Sequence, residues 1–214
     1  MNSFLKKILP IRSKRNKGFT LVELLVTIVI FVVLTSIVLF SQGNFNNTVL
    51  LNNLAYDIGL TIRQAQDYGV SVKESSGAFS SASGVNFSYG VYFNTTVSKT
   101  NFVLFADTTG TGGNPDSRYN GSVTVCPSND VECVQKYNIN NGSYISSICT
   151  GSSSSCSPIT STLTVLFTRP NPDAIMYVDS NPVPVNYAEI TVTSVGGTTR
   201  KVIITSVGQI YVQK

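Results

Sequence analysis

Residues 15–31 read RNKGFTLVELLVTIVIF, and one carboxylate, Glu23, stands near the start of a run otherwise suited to hydrocarbon. Phe19 to Phe40 is a 22-residue segment interrupted only by Thr20, Glu23, Thr27, Thr35 and Ser36. At about 1.5 Å of rise per residue such a helix reaches across a bilayer core of about 30 Å. An ionised side chain inside that core is costly unless it is paired, which makes Glu23 a functional residue by expectation and demands a partner for it. The opposing reading is a carboxylate that reaches the headgroups near a helix N-terminus, where the helix dipole favours it.

Working outward to the N-terminal side, Lys6, Lys7, Arg12, Lys14, Arg15 and Lys17 precede Gly18 with no acid among them. The positive-inside rule then predicts a cytoplasmic N-terminus and a translocated remainder. Ser41, Gln42 and Gly43 make a poor signal-peptidase site, so the apolar run is expected to stay on the chain. Six of the fifteen basic residues lie in this leader, and the other nine stand against eleven acids, a side-chain balance of −2. The basic character is a property of the leader and gives no reason to assign nucleic-acid binding to the body.

On the C-terminal side, Gly43, Asn44, Asn46 and Asn47 form a soft joint. Leu51, Leu54, Ala55, Ile58, Ile62, Ala65 and Gly69 then recur at spacings of three and four. That is one apolar stripe of a helix, expected to pack on its own domain. Beyond Gly69 the pattern changes to short β-rich pieces separated by Gly, Ser, Asn and Pro. Strands are predicted over 89–93, 102–106, 122–126, 131–139, 144–148, 163–168, 174–178, 188–194, 201–206 and 209–212, the last two forming a hairpin through Val207 and Gly208. The chain divides accordingly into a leader (1–18), a membrane helix (19–42), an amphipathic helical extension (43–75) and a β domain (76–214). The fold class is α+β, with a long N-terminal helix packed on an antiparallel β domain.

With no histidine, the chain cannot hold a Ser/His/Asp triad, a Cys/His dyad or a HExxH zinc site. No phosphate-cradling GxxxxGK[ST] or GxGxxG is present. No enzyme activity and no cofactor are expected.

KGFTLVELLVTIVIF resembles the class III signal of type IV pilins and type II secretion pseudopilins. The resemblance implies that a prepilin peptidase cuts between Gly18 and Phe19 and N-methylates Phe19, so that Glu23 takes the family's acidic position in the mature chain. LLNNLAYDIGLTIRQAQDYGVSVKE, YGVYFN, FVLFAD and TRKVIITSVGQIYV together resemble the GspH/FimT class of minor pseudopilins; residues 123–161 match no pattern of that class. The function implied by the resemblance is that of a structural subunit of a type IV pilus or type II secretion pseudopilus, one that joins or initiates the filament. Its implied partners are other pilins or pseudopilins, the prepilin peptidase, an inner-membrane assembly platform and, before assembly, membrane lipid. The implied location is the bacterial inner membrane in a single pass with the C-terminal domain outside, and then the filament. The new amine of Phe19, in the same or a neighbouring subunit, becomes the partner that Glu23 needs.

Cys126, Cys133, Cys149 and Cys156 are spaced C-x6-C, fifteen residues, C-x6-C, and an even number in a translocated region suits two disulfides. Cys126 with Cys133 and Cys149 with Cys156 is the favoured pairing. A nested arrangement, Cys126 with Cys156 and Cys133 with Cys149, stands beside it, as does a four-thiolate zinc site that lacks the usual close pairs. Asp107, Asn114 and Asp116 lie in a glycine-rich loop and are weak calcium candidates, their spacing unlike an EF-hand. Arg200, Lys201 and Lys214 make a small basic end, the basis of an alternative reading as a DNA-binding pilin of an uptake system. Three charges on a mature chain of balance −2 fall short of the usual phosphate-binding patch.

Overall fold

The computed structural model describes residues 18–71, 87–108, 115–126, 132–152, 155–159, 161–179, 181 and 184–214. Among these residues one helix, α1 (Leu21–Val70), is followed by ten strands: β1 (Ser88–Asn94), β2 (Asn101–Asp107), β3 (Cys133–Asn138), β4 (Tyr144–Ser152), β5 (Ser155–Ile159), β6 (Thr162–Phe167), β7 (Ala174–Val178), β8 (Tyr187–Thr193), β9 (Thr199–Thr205) and β10 (Ile210–Gln213). The class is α+β, and every strand pairing is antiparallel. The chain falls into two units, one ending at Gly43 and the other running from Asn44 to Lys214. The Gly/Asn-rich joint expected from the sequence contains that boundary, although the residues remain helical through it.

In the first unit, Leu21–Leu39 is a 19-residue apolar helical segment with no buried residue, about 28 Å long at the standard rise. Its hydroxyls are satisfied within the helix. Thr27 Oγ1 donates to the Leu24 carbonyl at 2.8 Å, Thr35 Oγ1 to Phe31 at 2.7 Å and Ser36 Oγ to Val32 at 2.8 Å. Apart from Glu23, the polar side chains of this segment close on the helix itself, as hydrocarbon requires of a spanning segment.

In the second unit the predicted stripe is the buried one. Leu51, Ala55, Ile58, Ile62 and Ala65 are fully buried and share one core with inward residues of two five-stranded sheets. The strand order is β3-β2-β1-β6-β7 in one sheet and β10-β9-β8-β4-β5 in the other. The first contributes Val91, Phe93, Phe102, Leu104, Leu163, Val165 and Phe167, and the second Ile145, Ile148, Ile190, Val192, Val202 and Ile204. The period-2 alternation of these strands puts their partners in sequence on the opposite face. Polar side chains of the helix bind the β unit beyond the apolar stripe: Arg63 Nη2 donates to Ile210 O of β10 at 2.8 Å, and Gln66 Nε2 to Pro172 O, in the β6–β7 connection, at 2.8 Å.

The C-terminal hairpin forms as β9 and β10, turning where the Gly208 amide donates to Thr205 O at 2.9 Å. Gly208 takes φ +77°, and a Cβ there would lie 2.7 Å from Gln66 Nε2, so both backbone and space require glycine. Two strand expectations are corrected. Residues 122–126 are not a strand, because Ser122 Oγ accepts from the Thr124 amide at 3.3 Å and contacts its hydroxyl at 2.9 Å, a local turn that competes with any ladder. Conversely β5, unforeseen in a Ser-rich stretch containing Pro158, exists as an edge strand, where a missing N–H is tolerated. The helix ends at Val70, short of the expected 75, and residues 72–75 lie outside the described set.

Candidate functional site

Gly18, Phe19 and Thr20 are non-helical and exposed, and α1 begins at Leu21. The helix starts there because Thr20 caps it: its carbonyl accepts from the Leu24 amide at 3.1 Å and its Oγ1 from the Glu23 amide at 3.2 Å. A threonine cap with glutamate three residues on is the pattern of a capping box, readable as Thr20-Leu21-Val22-Glu23 but overshadowed by the apolar run that contains it. Glu23 lies in the first turn, where the positive end of the helix dipole favours a carboxylate. Among the described residues no basic side chain forms an ion pair with it.

The geometry offers an accessible peptide bond between Gly18 and Phe19 immediately before a rigid apolar helix. Among the described residues, nothing lies within 4 Å of where a Cβ on Gly18 would stand. Hydrolysis there would free an amine at Phe19, one turn before the Glu23 carboxylate. The basic leader residues up to Lys17 lie outside the described set.

The four cysteines form two disulfides in the structure, Cys126–Cys133 with Cα atoms 5.6 Å apart and Cys149–Cys156 with Cα atoms 5.5 Å apart. The second joins β4 to the edge strand β5. Among the described residues, one group of metal-type donors converges, Cys149, Cys156 and Glu189, with ligand atoms within 4.8 Å of one another. The two sulfurs are bonded to each other, and Glu189 Oε1 stands 3.0 Å from Lys201 Nζ. These donors are already engaged.

Asp107 is 1 % exposed, and its two carboxylate oxygens accept the backbone N–H groups of Asp116 at 3.0 Å and Ser117 at 2.9 Å. Burial pushes its pKa up to about 6, against the two hydrogen bonds, with Asp116 and Glu132 adding to the rise. The carboxylate thus organises a loop. Asp116 Oδ1 accepts the Arg118 amide at 3.1 Å, and Asn114 lies outside the described residues. Of the basic C-terminal residues, Arg200 Nε donates to Asn52 Oδ1 at 2.6 Å and Lys201 pairs with Glu189. Both side chains are thus tied to neighbours within the β unit.

Two features escaped the sequence reading. One is Glu132, 1 % exposed, whose Oε2 accepts the Asn120 amide at 2.7 Å; nothing local marks an acid beside a cysteine as buried. The other is Tyr119, which packs on Phe105 and Tyr92 from a stretch whose composition suggests only a solvated loop.

Comparison with known proteins gives one family match: the model described as prokaryotic N-terminal methylation motif matches residues 13–39. No curated protein and no solved structure matches the chain. The matched residues contain the exposed Gly18–Phe19 bond, the Thr20 cap, Glu23 and the apolar helical segment. This motif, ahead of an α+β domain, supports the type IV pilin and pseudopilin class and points to a membrane-anchored structural subunit.

Proposed function

We propose that the chain is a minor, GspH/FimT-like subunit that joins or initiates a type IV pilus or a type II secretion pseudopilus. The observation that carries the reading is the methylation motif at residues 13–39, set across the start of a helix that is apolar on every side. In this reading residues 1–18 stay on the cytoplasmic side and are removed by the prepilin peptidase. Residues 19–42 span the inner membrane, 43–75 extend the helix, and 76–214 lie outside the cytoplasm. Two disulfides suit an oxidising compartment.

Glu23 is the assembly residue. Its carboxylate pairs with the methylated amine of Phe19 in the same or a neighbouring subunit. Both charges lose water on pairing, so the contact selects register more than it adds net stability. The apolar helix then exchanges lipid for the helices of other subunits through a head-to-tail contact that repeats without closing.

The test is the intact mass of the protein extracted from membranes of a host with an active prepilin peptidase. The expected species lacks residues 1–18 and carries one added methyl group on Phe19. A mature start at Met1, or near Gly43, overturns the proposal.

A further inference from the structure

The outer face of the sheet β3-β2-β1-β6-β7 carries a second, smaller core, and a loop builds a cavity over it. Phe105 lies across Gly90, where a Cβ would stand 2.8 Å from the ring. Tyr119 rests on Phe105 and on Tyr92, with ring centroids 5.4 and 5.3 Å apart. Three attachments hold the loop that carries Tyr119. Asp107 grips the amides of Asp116 and Ser117, Glu132 grips that of Asn120, and the Cys126–Cys133 disulfide ties the loop's far end to β3.

From this loop Arg118 reaches over the Tyr177 ring, 5.9 Å from its centroid, and donates to the carbonyls of Asp179 at 2.7 Å and Asn181 at 3.4 Å. Between loop and sheet lies a cavity of about 380 Å³ whose walls include Tyr92, Arg118, Tyr119, Asn120, Thr164 and Asp179. That volume is at the small end of the range for ligand sites, and such sites normally combine ring surface with a few converging polar groups.

The chemistry of the walls selects the ligand class. Arg118 has five N–H donors, of which the two bonds above use only part. Asp179 Oδ1 is held by Ser161 Oγ and by the amide and hydroxyl of Thr162, while its Oδ2 has no partner among the described residues. The Ser161 hydrogen bond keeps this carboxyl below the usual range and therefore ionised. The Thr164 hydroxyl, on a residue only 5 % exposed, also lacks a partner among the described residues.

Donor, acceptor and hydroxyl thus converge beside two tyrosine rings. A cation and an anion lining one cavity disfavour a ligand of net charge: a phosphate would meet Asp179 and an amine Arg118. A lipid chain would strand the polar walls without partners. A neutral pyranose satisfies both, because its hydroxyls donate and accept while its C–H face covers ring surface.

We infer that this cavity is a binding site for one neutral pyranose ring, either a free sugar or the end unit of a glycan. The site belongs to the β unit and does not depend on filament assembly.

The full chain, held in phosphatidylcholine nanodiscs to avoid sugar-headed detergents, is tested by saturation-transfer NMR. The probes are glucose, galactose and N-acetylglucosamine, together with their methyl glycosides. Transfer to a methyl glycoside assigns the end unit of a glycan, and transfer to free sugars alone assigns a free sugar. Arg118→Gln and Thr164→Val each remove a hydrogen-bonding group and are expected to weaken binding by up to about tenfold, with the unfolding midpoint reporting whether either variant has lost its fold. No transfer to any probe, equal transfer in wild type and both folded variants, or preferential binding of inorganic phosphate would overturn the inference.

Discussion

The two ends of α1 have the same secondary structure and opposite relations to their surroundings. Among the described residues no side chain of the apolar window Leu21–Leu39 is buried, while Leu51, Ala55, Ile58, Ile62 and Ala65 are fully buried. In the first segment apolar residues occupy every face, and the few hydroxyls bond back to the helix. In the second the buried apolar residues occupy one stripe, and the other faces carry Asn53, Asp57 and Asp67 in solvent beside the exposed Tyr56 and Leu60. Hydrogen bonding within a helix is indifferent to its surroundings, so the distribution of side chains around the axis reports which solvent each part meets. One segment needs hydrocarbon or other helices; the other already has its core.

The sharpest way to break that contrast is to cut matching side chains in the two segments. Ile58→Ala leaves a cavity in the core and is expected to cost about 2–5 kcal/mol of the β unit's stability. Ile28→Ala is expected to leave the unit's unfolding midpoint unchanged. Thermal or denaturant unfolding of both variants, followed by near-UV dichroism of the tyrosines, decides it. Equal losses would mean that the two segments are not independent in stability.

A smaller effect concerns the loop clamp inside the β unit. Asp107 has an ordinary value of 3.8 and a folded value of about 6, so between those pH values the folded chain binds more protons than the unfolded one. Its contribution to stability is therefore full below about pH 4 and is lost as pH rises through about 6. The change is about 1–2 kcal/mol, allowing for a loop that is partly wet. Asp107→Asn should flatten this component of the pH profile between about 4 and 7. An unchanged profile would show that Asp107 titrates normally.

The smallest expected effect on stability is that of Glu23→Ala. Glu23 contributes nothing to the core of the β unit, and removing a charge from the apolar helix removes a desolvation cost. Unfolding of the β unit and the amount of protein in membranes should match wild type, while the fraction recovered in sheared filaments falls. Wild-type incorporation by the variant would return Glu23 to the helix-start role that the Thr20 cap and the dipole already give it.

Much of the fold is legible in the sequence because its signals are local. Fullness of apolar residues marks 19–40, a three-and-four spacing marks the buried stripe over 51–69, alternation marks β1 and β8, and short apolar runs mark β2 and β6. These periods are geometric properties of a single helix or strand. The same logic fails at residues 122–126, where β-branched residues sit in a turn closed by Ser122, and at β5, which pairs with β4 despite Ser and Pro. At both places a neighbour decides the outcome. The methylation motif is similarly local, since its Gly18–Phe19 junction, its cap and its acid are adjacent residues.

By itself, then, the sequence determined the methylation motif, the apolar segment, the stripe and the class of fold, each set by side chains within a few turns of one another. Only the tertiary structure decided that β1 lies between β2 and β6, and that β8 lies between β4 and β9. It alone placed Asp107 and Glu132 as buried grips on one loop, and brought Arg118, from that loop, to Asp179 at the end of β7. The physical reason is separation along the chain. Ladder partners and clamps join residues tens of positions apart, and which of many compatible pairings wins depends on the total burial they achieve together, a quantity no local window contains.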